Sequence, residues 1–325
     1  MSVEELQATI EKISVDIKKI SADIERQKEV LNKLETSKSL IQRQLNAVLD
    51  PLARLPLEIS SEIFIQCLPP IVEPGAARMP MLLLDICNSW SRIAISTPAL
   101  WTTIRVQFPR PEGFAKILEN WLRHARNHPL SISLRGSFDD DIVAVVGQHA
   151  GQLENLEIYH DQQHTLIRDP LSGLGSRSFP SLKSLTIGGE SSGGYPSLNP
   201  DSILDLFHRA PNLIECTFDR VFTPAGHPPT LKTLVLPNLR HLNFGRSLEH
   251  FYSDNGLLWH ITLPGLQTLI VSMDSSEDDD EYEEVLIAFL KRSSPPLQKL
   301  RICELDSDDS FDFPEWRNAF AFFPP

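Results

Sequence analysis

"LENLEI" (Leu153–Ile158), "LKSLTI" (Leu182–Ile187) and "LIECTF" (Leu213–Phe218) follow one pattern, L-x-x-L-x-apolar, with Cys216 in place of the second Leu in the last. Four further copies begin at Leu231 ("LKTLVL"), Leu239 ("LRHLNF"), Leu266 ("LQTLIV") and Leu297 ("LQKLRI"). Successive starts lie 29, 31, 18, 8, 27 and 31 residues apart. Eight residues cannot hold a strand and its return connection, so either Leu231 or Leu239 begins an extra strand. Counting Leu213 to Leu239 as one interval of 26 restores a period of 26 to 31. Pro180, Pro211, Pro264 and Pro296 each precede a copy by no more than three residues.

A unit of this length holds one strand with a helix or turn, and it cannot bury its own apolar face. Stacking several such units does. The pattern predicts an irregular leucine-rich-repeat solenoid with a curved parallel sheet over residues 105–325. Helices are expected in "PDSILDLFHRAP" (Pro200–Pro211), capped by Asp201 or Ser202 with Ile203, Leu204 and Phe207 inward, and in "EEVLIAFLKRSSPP" (Glu283–Pro296). Alternation along each strand turns Glu157, Ser184, Thr186, Thr217, Asn243, Ile270 and Arg301 to solvent. These are candidates for a target-binding face; a merely solvated sheet face is the alternative.

Residues 1–50 carry a different period. Val3, Ile10, Ile17, Ile24, Leu31, Lys38 and Leu45 occupy heptad position a, and Leu6, Ile13, Ile20, Gln27, Leu34, Ile41 and Val48 occupy d. Twelve of these fourteen are apolar, and no Gly or Pro interrupts them. One coiled-coil helix about 70 Å long is expected, stopped at Asp50-Pro51 because the residue before proline avoids helical geometry. So long and narrow a stripe asks for a partner helix, from a second copy through residues 3–48 or from another protein; a monomeric or folded-back stalk is the alternative. Asp23 at g and Lys28 at the following e could pair across a parallel homodimer.

The net charge of −13 argues against a nucleic-acid partner, whose phosphates require clustered Lys and Arg. The acidic runs at Glu277–Glu284, Asp306–Asp312 and Asp139–Asp141 read as solvated loops or tails. Cys67, Cys87, Cys216 and Cys303 are scattered, with no C-x-x-C pair, and behave as small hydrophobes where they fall in periodic segments. No secretory signal pattern opens the chain, and no apolar run reaches the roughly 18 residues of a membrane helix. A cytoplasmic or nuclear protein without membrane association is expected.

Between these regions lies "LPLEISSEIFIQCL" (Leu55–Leu68). Pro56 suits a first helical turn. Ile59, Ile63 and Cys67 form one line, Phe64 and Leu68 a second, and Leu57 and Ile65 point elsewhere, an apolar arc wider than one small core can cover. A Pro-rich loop (Pro69–Pro80) follows, then "MLLLDICNSWSRIAIS" with Leu83, Ile86, Trp90 and Ile93 at helical spacing, then "TPALW". Three short helices over some fifty residues make a marginal core, so a leftover apolar face suggests docking.

These blocks resemble an F-box, the helical motif that docks onto the Skp adaptor of cullin ubiquitin ligases. Leu55, Pro56, Glu58, Ile59, Ile63, Phe64 and Leu68 match its first block, and Cys87, Trp90, Ala94, Pro98, Leu100 and Trp101 its later ones. The loop Pro69–Pro80 is longer than the common pattern. The order of coiled coil, F-box and leucine-rich tail is similar to F-box-like proteins expanded in mushroom-forming fungi. The resemblance implies adaptor binding through the first block, with Cys87, Trp90, Leu100 and Trp101 as the motif's core. It also implies domains at 1–50, 51–104 and 105–325, and a substrate-recognition subunit of an SCF-like ligase as the function. The rival reading is a non-ligase interaction scaffold.

Covalent chemistry is poorly supported. "GESSG" (Gly189–Gly193) fits a nucleophile-elbow spacing, but "GYPSLNP" follows it where a helix is required. His124/His128 and His160/His164 are spaced i, i+4 without the glutamate or third ligand of a metal site. No enzyme activity, cofactor or metal is expected.

Overall fold

The computed structural model describes residues 3–75, 78–160, 174, 177–189, 198–221, 233–244, 257–273 and 279–304. Two compact units are present: residues 1–67 with 80–96, and residues 68–79 with 97–325.

The first unit is helical. Helix α1 (Val3–Leu49) is continuous and stops before Asp50, as the heptads and Pro51 predict. All twelve apolar a and d side chains are exposed, from Leu6 at 44% to Val48 at 75%. Helix α2 (Leu57–Gln66) begins directly after Pro56. The expected single helix after the loop is two, α3 (Met81–Ile86) and α4 (Asn88–Ser96), separated by an extended Cys87. The break has a local cause. The Cys87 sulfur accepts from the Trp90 backbone N–H at 3.5 Å, and the Cys87 carbonyl accepts from Ser91 N–H, so the cysteine acts as the N-cap of α4. Its thiol faces the buried Asp50 carboxylate at 3.9 Å, which also accepts from Leu52 N–H at 2.9 Å.

The second unit carries eight parallel strands: β1 (Thr103–Gln107), β2 (Leu130–Arg135), β3 (Leu153–His160), β4 (Ser184–Gly189), β5 (Glu215–Asp219), β7 (His241–Asn243), β9 (Thr268–Met273) and β10 (Lys299–Glu304), in that spatial order. Two short segments, β6 (Leu234–Val235) and β8 (Ile261–Thr262), pair with each other outside this sheet. That settles the eight-residue interval: the Leu239 copy supplies the sheet strand, and the copy begun at Leu231, itself outside the described residues, supplies β6. Helices α5 (Phe114–His124), α6 (Asp140–Gln148), α7 (Pro200–Arg209), α8 (Leu257–His260) and α9 (Asp279–Ser293) form the connections.

One sheet face is buried and apolar, including Ile104, Ile132, Leu156, Leu185, Phe218, Leu242, Leu269 and Ile302. It is covered by amphipathic helices such as α5, which buries Phe114, Leu118, Trp121 and Leu122. Trp101 lies in this core, edge-on to Trp121 at 5.1 Å, and its carbonyl accepts the Trp121 indole N–H at 3.1 Å. The cap of α7 is Asn199, not Asp201 or Ser202: its side chain accepts from Asp201 N–H at 3.0 Å, with Pro200 fixed in the first turn. The loop after α2 is tied in as well. Val72 is buried, and its carbonyl accepts from Arg105 N–H on the edge strand β1 at 2.7 Å.

The prolines before the leucine pattern mark a ladder at the strand entrances. Ser181 Oγ donates to the Gly151 carbonyl at 2.8 Å, Asn212 Nδ2 to the Pro180 carbonyl at 2.8 Å, and Asn238 Nδ2 to the Pro211 carbonyl at 3.1 Å. Each repeat thus satisfies a turn carbonyl of the repeat before it. At the next rung Gly265 comes so close that an added Cβ would lie 2.4 Å from the Pro237 carbonyl oxygen. Asn212→Ala or Asn238→Ala should each lower unfolding free energy by about 1 kcal/mol in denaturant titrations, the usual net value of one such bond.

Candidate protein-interaction surfaces

The sheet face opposite the helices carries mostly half-buried side chains, with Arg301 exposed and Ser133 buried. Strand register aligns its side chains in rows, and one row reads Arg105, Ser133, Glu157, Thr186, Thr217, Asn243, Ile270, Arg301 from β1 to β10. Six of the seven residues expected to face solvent fall in this single row. Ser184 belongs to the neighbouring row, Thr103, Ser131, Asn155, Ser184, Glu215, His241, Thr268, Lys299. At about 4.8 Å per strand the rows run roughly 34 Å.

Toward β1 this face carries a feature that alternation alone did not single out. The Arg135 guanidinium lies 4.2 Å from the centre of the Tyr159 ring and 3.6 Å from the Glu157 carboxylate, which also accepts from Ser133 Oγ at 2.9 Å. The Cδ1–Cε1 edge of the ring lies against Gly188, where any Cβ would come within 2.8 Å of it. Glycine at 188 is therefore what lets tyrosine lie against the sheet. Burial pushes the Tyr159 hydroxyl pKa up, as do the Asp219 and Glu157 carboxylates, against the opposing pull of Arg135 and Arg105. The phenol stays neutral and keeps its donor. A fixed aromatic ring with stacked arginine is the kind of rigid anchor on which protein interfaces concentrate their energy.

In the helical unit, α2 divides its apolar residues. Ser60 and Phe64 are buried, and Phe64 packs on Trp90 with ring centres 5.1 Å apart. Phe64 is thus a core residue and not, as expected, part of the docking surface. Ile63 and Leu68 are half-buried, while Leu55, Pro56, Leu57, Glu58 and Ile59 are exposed. Leu52, Leu55 and Leu57 line a groove of about 300 Å³ with Ser89, Arg92, Ile93 and Ser96 of α4. Its lining is mixed: four apolar side chains with Ser89, Ser96 and the Arg92 cation. Of the four residues expected to form the motif's core, Cys87 is buried and Trp90 half-buried in this unit; Leu100 and Trp101 are buried in the α/β unit.

No cluster of three or more His, Cys, Asp or Glu suited to a metal occurs among the described residues. His124 packs on Trp101, with ring centres 4.8 Å apart, while His128 is exposed; His164 and Ser191 lie outside the described residues. No helix among the described residues is long and apolar enough to cross a membrane. Burial holds the Cys216 thiol pKa far above its usual value, so it stays protonated.

Three histidines of the α/β unit have pKa values below the usual 6.5, in each case chiefly through burial. Arg123 and Arg126 add to the effect at His124, and Arg292 at His260; Glu119 at His149 and Asp201 at His260 oppose it. Below about pH 6.5 the unfolded chain therefore binds protons that the folded unit refuses. Stability from these groups is complete above that pH and falls as the pH drops toward the lowered values. Melting followed by tryptophan fluorescence should show a lower Tm at pH 5.5 than at pH 7.5, and His124→Gln should make the fall shallower.

No family model, curated protein or solved structure matches this chain.

Proposed function

We propose that the chain is a non-catalytic substrate-recognition subunit of a cullin-type, SCF-like ubiquitin ligase in the cytoplasm or nucleus. The F-box-like segment binds the Skp adaptor, and the leucine-rich-repeat-like sheet face holds a target protein. The observation that carries the adaptor half is the exposure of Leu55, Leu57 and Ile59 around the first turn of α2, beside the groove against α4. These are among the large apolar side chains that the helical core does not use, and they fall in the block that resembles the adaptor-binding motif. The target half rests on the aligned rows of the sheet face and the Arg135–Tyr159 anchor.

Mechanistically the chain accelerates transfer by holding target lysines near a charged conjugating enzyme, which raises their effective concentration. Bond making belongs to other subunits. Capture of the tagged full-length chain from its own cells should bring down the Skp adaptor and a cullin. Their absence would favour the rival reading, a non-ligase scaffold that joins partners through the open stripe of α1 and the sheet face, with target levels unchanged when the chain is deleted.

A further inference from the structure

The apolar side chains of the α1 stripe are exposed along its whole length, and toward its C-terminal end the helix meets α3, where Arg43 at heptad position f pairs with Asp85 and Lys38 at position a lines the same groove. We propose that the occupant of this stripe is α1 of a second copy, running antiparallel in the register that sets residue n against residue 51 − n.

Three observations converge on this arrangement. In that register each a residue meets a d residue of the other copy: Val3 meets Val48, Leu6 meets Leu45, Ile10 meets Ile41, Ile13 meets Lys38, Ile17 meets Leu34, Ile20 meets Leu31 and Ile24 meets Gln27. The stripe is covered from end to end by a helix of its own length: ten of its twelve apolar members meet an apolar partner, and Ile13 and Ile24 meet Lys38 and Gln27. A parallel pair would instead set Lys38 against Lys38, two ammonium groups in one layer of the seam. Turned antiparallel, Lys38 meets Ile13, and Asp16 of that other copy, one turn further at position g, comes within reach of its ammonium. Charge along the helix agrees: residues 3–17 carry Glu4, Glu5, Glu11 and Asp16 against Lys12, whereas residues 34–48, their partners in this register, carry Lys38 and Arg43 against Glu35. Finally, the pair that could specify a parallel dimer is already engaged within one helix. Asp23 binds Arg26 at 3.1 Å and Lys28 binds Glu25 at 2.7 Å.

The antiparallel pair sets the two Asp50 residues about 70 Å apart, one at each end of the stalk. The inference does not depend on the ligase reading.

Disulfide trapping tests it on the full-length chain carrying Cys67→Ser and Cys303→Ser. One preparation also carries Leu6→Cys and a differently tagged one Leu45→Cys. After mixing and mild oxidation, the mixed 6–45 disulfide should dominate. Dominant 6–6 and 45–45 products, or sedimentation as a monomer at tens of micromolar, would overturn the proposal. Charge exchange gives a second readout. Lys38→Asp and Asp16→Lys should each weaken the dimer about tenfold, with two such contacts per dimer, and their combination should restore it. Failure of the combination to restore it would also count against the antiparallel register.

Discussion

Replacing Leu55 and Ile59 together by aspartate is expected to abolish adaptor binding and leave the chain folded. Both residues are exposed, at 41% and 51%, so neither contributes much to the core. Ile59 is the third residue of α2, where a carboxylate interacts favourably with the positive end of the helix. The helix should therefore form as well as before. At a docked interface each side chain, about half exposed in the free chain, would lose about 0.7–1.5 kcal/mol of apolar burial and gain the larger cost of a desolvated charge. The lost burial alone, ~1.4–3 kcal/mol for the pair, weakens binding by roughly tenfold to more than a hundredfold, and the two buried carboxylates add to it. Unchanged circular dichroism with lost binding separates this outcome from misfolding. Phe64→Ala offers the contrast: it opens the Phe64–Trp90 packing and should lower the stability of the helical unit first.

The largest expected effect on stability belongs to Trp101→Ala. Its side chain is fully buried and contacts both Trp121 and His124. The cavity and lost burial should cost about 3–5 kcal/mol, a large share of the 5–15 kcal/mol typical of a folded domain. At about 2–4 °C per kcal/mol for a unit of this size, its Tm should fall by roughly 6–20 °C. The Trp121 indole keeps its partner, because the acceptor is the backbone carbonyl of residue 101. Ile117→Ala on the same helix as Trp121, 48% exposed, should shift Tm far less.

Where periodicity was strong, the sequence was informative. The heptads predicted α1 within a residue of its C-terminal end, and the leucine pattern located six of the eight sheet strands. Strands β1 and β2 escaped it because "TIRVQ" and "LSISLR" build the same buried face from Ile, Val and Leu without the L-x-x-L spacing. Their signal was alternation, and at β2 the preceding Pro129 repeats the proline seen before later copies. The helix break at Cys87 was not legible, since cysteine is not among the usual caps and the apolar spacing runs on unbroken across it. Nor could spacing show which side of α2 faces inward. Ile59 and Phe64 are equally apolar, and packing on Trp90 decides between them. On the sheet face, alternation placed the polar row but not the Arg135–Tyr159 anchor, which depends on Gly188 of the adjacent strand leaving room for the ring.

The most direct measurement is calorimetric titration of purified Skp adaptor into the purified full-length chain. The account predicts a saturable complex with Kd of about 1 μM or tighter, a free energy near −8 kcal/mol, lost in the Leu55→Asp/Ile59→Asp variant. No saturable binding at tens of micromolar, or equal affinity for the double variant, would contradict it.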